Sequence, residues 1–68
     1  MKAKELIAAR KQLGLGPGEM SRAMGVSRET YAQWQSGRRK MSAVAIRCVE
    51  LLLMYPKTAR RLADERSE

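Results

Sequence analysis

Two eight-residue stretches, PGEMSRAM (Pro17–Met24) and RETYAQWQ (Arg28–Gln35), stand three residues apart. No other feature constrains the chain as much. Each stretch offers about two helical turns, too few to hold as an isolated helix in water. Both must pack against something, and the link Gly25-Val26-Ser27 lets them pack against each other. Gly25 tolerates the positive φ that ends a helix. Ser27 is an N-cap residue for the helix that follows. At the front, Gly16 precedes a proline and is held extended, as an N-cap is. Pro17 suits the first helical position, where a missing N–H costs nothing. Glu19 falls in the first turn, where the helix dipole favours a negative charge. Gly37 closes the second stretch.

Helical patterning continues on both sides. Phe and strand-like alternation are absent, and Ala, Leu, Met, Arg, Lys, Gln and Glu dominate. Lys2–Leu13 reads as a first helix, with Leu6, Ala9 and Leu13 at i, i+3 and i+7, Ile7 beside them, and Gly14 as C-cap. Ser42 caps a fourth helix, Ala43–Met54. Ala45, Val49, Leu52 and Leu53 form one stripe on it; Val44, Cys48 and Leu51 form a second. Tyr55-Pro56 breaks that helix, and Thr58–Arg66 forms a short fifth with Ala59, Leu62 and Ala63 inward. The expected fold is an all-α, compact five-helix domain over residues 1–68. Its helix-turn-helix unit spans 17–35 and its dimerisation region 43–66. A chain of 68 residues buries little core, so a second copy would help to stabilise it.

Charge narrows the partners. The net charge is +7. Up to Lys40, nine basic residues stand against three acidic; from Met41 on, five stand against four. The positive field belongs to the first forty residues and favours a polyanion, nucleic acid before anionic membrane. Histidine is absent and Cys48 is the lone cysteine. That leaves no internal disulfide, no ordinary structural zinc site and no common general base. No metal, cofactor or enzymatic activity is expected: the chain has no nucleophile–base pair, and GLGPG lacks the Lys that follows a phosphate-binding loop. No apolar run approaches a membrane span, and the start, MKAKELIAARK, lacks a signal-peptide core. A cytoplasmic setting is expected, in a bacterial or phage-infected cell.

The two-helix unit can be divided by role. Met20, Met24, Val26, Tyr31 and Trp34 can fill its inside corner, and Ser21 is small enough for close approach. By subtraction, Arg28, Glu29, Ala32 and Gln33 face out near the start of the second helix. In a docked helix-turn-helix those positions meet base edges in the major groove. Arg pairs bidentately with guanine, Gln with adenine, Glu accepts from the cytosine amino group, and Ala can touch a thymine methyl. Ser27, Thr30, Ser36, Arg38, Arg39 and Lys40 are the expected phosphate contacts.

Leu13–Lys40, LGLGPGEMSRAMGVSRETYAQWQSGRRK, resembles the Xre family of phage-repressor and Cro-like helix-turn-helix regulators. Gly14-Leu15, Ser21, Gly25-Val26-Ser27, Arg28-Glu29-Thr30 and Gly37-Arg38-Arg39-Lys40 carry the likeness, which extends over Lys4–Leu53. It implies a lambda-repressor-like five-helix DNA-binding domain, commonly a homodimer on inverted repeats. The small size is similar to that of autorepressors from phage or mobile-element operons, including toxin–antitoxin and anti-CRISPR-associated ones. Three positions depart from the family pattern. Gly16-Pro17 replaces a Ser or Asn cap followed by a phosphate-contacting Gln, so the backbone amides of Gly18 and Glu19 would have to hold that phosphate. Arg10 would face Gln35 rather than a Glu, leaving it freer to meet DNA. The fifth helix is short and charged.

The expectation is therefore a sequence-specific transcriptional regulator of double-stranded DNA. It would act as a dimeric repressor or autorepressor on a palindromic operator, with Val44, Cys48, Leu51, Tyr55 and Leu62 at the dimer interface. The alternative is an antitoxin or other protein-binding module of the same fold, gripping a toxin through the fourth helix, with DNA binding secondary.

Overall fold

Capping fixes where each helix begins and ends. The computed structural model describes residues 1–64. They form α1 (Ala3–Leu13), α2 (Pro17–Met24), α3 (Arg28–Gln35), α4 (Ala43–Met54) and α5 (Pro56–Asp64). The acidic residue in the first turn of α1 and of α2 reaches back to cap the helix. Glu5 Oε1 accepts from the Lys2 N–H, and Glu19 Oε1 from the Gly16 N–H, both at 2.8 Å. Ser27 and Ser42 cap α3 and α4 from the side chain, accepting from the Thr30 and Ala45 N–H groups at 3.1 Å. Gly14 and Gly25 end α1 and α2 in the left-handed region, φ 71° and 73°. In both, the N–H of the residue after the glycine returns to a carbonyl five positions back: Leu15 to Arg10, Val26 to Ser21. This closure satisfies carbonyls that a helix end otherwise leaves bare.

The helix boundaries follow the sequence reading except at two points. Lys2 is the cap of α1 and not its first residue. The fifth helix starts at Pro56, two residues before the expected Thr58. Pro56 does break α4, but it also supplies the first position of the next helix, where proline is at home. The expected last residues of that helix, Glu65 and Arg66, lie outside the described residues.

The core draws on every helix: Leu6 and Ala9, then Met20 and Ala23, Tyr31 and Trp34, Ala45, Val49 and Leu52, and finally Ala59 and Ala63. Two members come from connections. Leu15 follows the glycine that ends α1, a position that often packs back on its own helix. Met41 follows the basic run. Leu13, Met24, Val26 and Leu53 pack partly buried against this cluster. So do Cys48 and Leu62, which places two expected dimer contacts partly within the protein's own core.

The most extensive helix pair is α2 with α5, ahead of α2 with α3. Ala23, Ala59 and Ala63 are all buried, and their short side chains allow close approach. Polar contacts rim this seam. Arg22 Nε donates to the Ala63 carbonyl at 2.8 Å. Arg60 pairs with Glu19 at 3.5 Å and donates to the Gly14 carbonyl at 3.4 Å. The fifth helix, charged as it is, thus braces the first helix of the two-helix unit.

Candidate nucleic-acid interface

The outer face of α3 is built by what its inner face holds. Tyr31 and Trp34 turn into the core as their spacing demands. Arg28, Glu29 and Ala32 are consequently exposed, and Gln33 half-buried. Glu29, Ala32, Gln33, Ser36 and Arg38 line one shallow concavity. Three of the four expected base-reading residues therefore share a surface with the first cation of the basic run. Arg28 lies apart from that concavity. Its guanidinium crosses to the start of α2, where Nε stands 3.5 Å from the position a Cβ on Gly18 would take. Gly18 thus acts as the bare floor beneath Arg28, and Ser21 holds that floor by donating to the Gly18 carbonyl at 2.7 Å.

The expected phosphate contacts divide into free and occupied groups. Arg38, Arg39 and Lys40 are exposed. The Thr30 hydroxyl accepts from Ser27 Oγ at 2.9 Å and keeps its own proton to donate. Ser27 gives its proton to Thr30, and Ser36 Oγ donates to the Gln33 carbonyl at 3.2 Å. Both serines therefore serve the ends of α3, and a phosphate would have to displace these bonds to use their protons.

Arg10 does not match the expectation that it is freed to meet DNA. It is half-buried, and its Nη1 donates to the Leu15 carbonyl at 2.9 Å. Its Nε is buried without a partner, as are Tyr31 OH and Gln35 Oε1. The cause is the bend after Gly14, which brings the Leu15 carbonyl within reach of the guanidinium. No hydrogen bond joins Arg10 to Gln35 among the described residues. Burial raises the Tyr31 phenol above its ordinary pKa, and the charge and hydrogen-bonding reach of the nearby Arg10 guanidinium only partly oppose this. Burial also raises the Cys48 thiol, which keeps it protonated and unreactive near neutral pH.

α4 presents an apolar face that the described residues leave uncovered. Val44 is 80% exposed, Met54 66%, Tyr55 57% and Leu51 55%. Leu51 and Met54 line an open groove with Arg47, Glu50 and Leu53. Met54 was missed in the sequence reading, although it lies three residues beyond Leu51 on the same helix.

Among the described residues, no cluster of His, Cys, Asp or Glu could hold a metal ion, and no helix is long and apolar enough to cross a membrane. No protein-family model matches the chain, and searches of the curated proteins and of the solved structures return no match.

Proposed function

We propose that the protein is a sequence-specific double-stranded DNA-binding regulator of the Xre kind, acting as a homodimeric repressor on an inverted-repeat operator in the bacterial or phage-infected cytoplasm. One observation carries the reading. Two short packed helices joined by Gly25-Val26-Ser27 leave Glu29, Ala32 and Gln33 on a single outer surface beside Arg38. In a helix-turn-helix complex the second helix enters the major groove and offers such residues to base edges. Arg28, over the start of α2, extends that surface toward the backbone. Glu29 sharpens selection, because a carboxylate weakens phosphate binding wherever it finds no cytosine amino group. The cations of residues 38–40 supply the sequence-independent part of the affinity.

One copy offers few base contacts, so a two-fold pair is needed. The uncovered face of α4, with Val44, Leu51, Met54 and Tyr55, supports that pairing, with Cys48 and Leu62 at its buried margin. The test is selection of bound duplexes from a random library. An enriched palindrome is expected; no enrichment would overturn the reading.

The same apolar face favours a second reading, an antitoxin-like module that uses it to hold a different protein, with DNA binding secondary. Stoichiometry separates the two. A self-associating protein at the concentrations that bind operator supports the first, and a monomer that pairs only with its neighbouring gene product supports the second.

A further inference from the structure

We propose that the start of α1 and the α3–α4 connection form a second phosphate-binding cleft, in which Lys2 joins Arg39 and Lys40 on the DNA backbone, each cation on its own phosphate, beside the reading surface. This rests on the DNA-binding reading above and adds to it a residue and a place that the two-helix unit does not contain.

The three cations of the connection do not act as one patch. Arg38 lines the concavity of Glu29, Ala32 and Gln33. Arg39 and Lys40 line a different one, together with Lys2, Trp34 and Met41. The backbone imposes the division. Gly37 turns at φ 80°, and the Arg39 N–H then folds back to the Gln33 carbonyl at 3.1 Å. Buried Trp34 and Met41 make an apolar floor, and exposed cations make the rim. A cleft with charge of one sign above a low-dielectric wall focuses the field outward.

No ion pair among the described residues engages that rim. The ion pairs of the described residues are Arg47–Glu50 and Arg60–Glu19, both elsewhere. Glu5, the acidic residue nearest in sequence, directs its carboxylate to the Lys2 backbone N–H as a cap. Cations that line one cleft without an ion-pair partner repel one another, and anionic groups placed along them relieve the repulsion. Continuity with the reading surface assigns those groups to a duplex. Arg38 and Arg39 are chain neighbours, so a strand that lies along the first concavity continues past the second.

Salt dependence of duplex affinity tests this, comparing the wild type with Lys2→Ala and Lys4→Ala. Lys4 is exposed on the same helix and does not line the cleft. Loss of one phosphate contact should flatten the log–log salt slope by about 0.9. Lys2→Ala is expected to do so equally on selected and mixed-sequence duplexes, with sequence preference unchanged, while Lys4→Ala leaves the slope alone. A wild-type slope in Lys2→Ala would overturn the proposal, and so would an equal loss in Lys4→Ala, which would mean a diffuse field without a site. In a titration with inorganic phosphate alone, the Lys2, Arg39 and Lys40 amide shifts should not saturate in the millimolar range. Saturation there would overturn the assignment to duplex. A wild type that binds no duplex at all sinks the DNA reading and this proposal with it; binding with an unaltered slope in Lys2→Ala sinks this proposal alone.

Discussion

Tyr31 and Gln33 are two positions apart on α3 and serve opposite sides of it. Gln33 lies on the outer concavity and has an amide suited to adenine. Gln33→Ala should cost about 1–3 kcal/mol on the selected operator and relax the preference at one base pair. Equal losses on selected and scrambled duplexes, measured by gel shift, would make Gln33 a backbone contact instead. Tyr31 faces inward, with its buried hydroxyl beside the Arg10 guanidinium and no hydrogen bond of good geometry to it. Tyr31→Phe removes both the desolvated hydroxyl and its contact with Arg10, two opposed effects, and should shift stability at neutral pH by less than about 1.5 kcal/mol. The pH dependence has a definite sign. The folded phenol titrates above its ordinary value of 10.0 because it is buried. The unfolded chain releases that proton first, so stability is full below pH 10.0 and falls as pH rises beyond it. Denaturation of both proteins between neutral and alkaline pH should show a steeper alkaline loss in the wild type. Parallel curves would contradict the assignment. The inward turn of Tyr31 was readable from its spacing to Trp34. The occupation of Arg10 was not, because the carbonyl that takes its guanidinium belongs to Leu15, and a main-chain acceptor leaves no mark in side-chain pattern.

At the scale of elements, the α2–α5 seam shows where sequence reasoning stops. The caps of α2, α3 and α4 could be read directly, since Gly16-Pro17, Ser27 and Ser42 act within three residues of their own position. The seam joins residues 41 apart, Arg22 to Ala63, and its partners are alanines. An alanine on a charged helix signals only helix propensity until the neighbouring helix is known. Ala59 and Ala63 are fully buried where α5 meets the rest of the protein. Ala59→Leu has no room for the added carbons and should destabilise by about 1–3 kcal/mol, read as a lower urea midpoint at unchanged slope. A midpoint equal to wild type would mean that α5 can move off α2 without cost. Leu62 is partly buried against the same core, so the protein itself covers part of a residue expected at the dimer contact.

For the whole molecule, dimension and exposed surface must agree. Operator half-sites one helical turn apart require reading helices about 34–36 Å apart, so each must stand about 17 Å from the two-fold axis. The protein measures 27 × 26 × 19 Å. One copy cannot reach both half-sites, but two touching copies can if each keeps its reading surface away from the shared face. The uncovered side of α4 is the candidate for that face. Leu51 is 55% exposed there, so a lysine in its place leaves the core intact while setting like charges across the axis. Leu51→Lys should yield a monomer by sedimentation that keeps its helical content and whose Tm no longer depends on protein concentration. Binding to the palindrome should then fall by about 10²–10⁴-fold, the gain that linkage of two modest contacts provides. Binding to a single half-site should stay near the wild-type monomer value. The distinction matters because a general loss of affinity would point to misfolding or to a charge effect on the approach to DNA. If Leu51→Lys leaves the palindrome bound as tightly as before, α4 is not the pairing face and its apolar surface belongs to another protein.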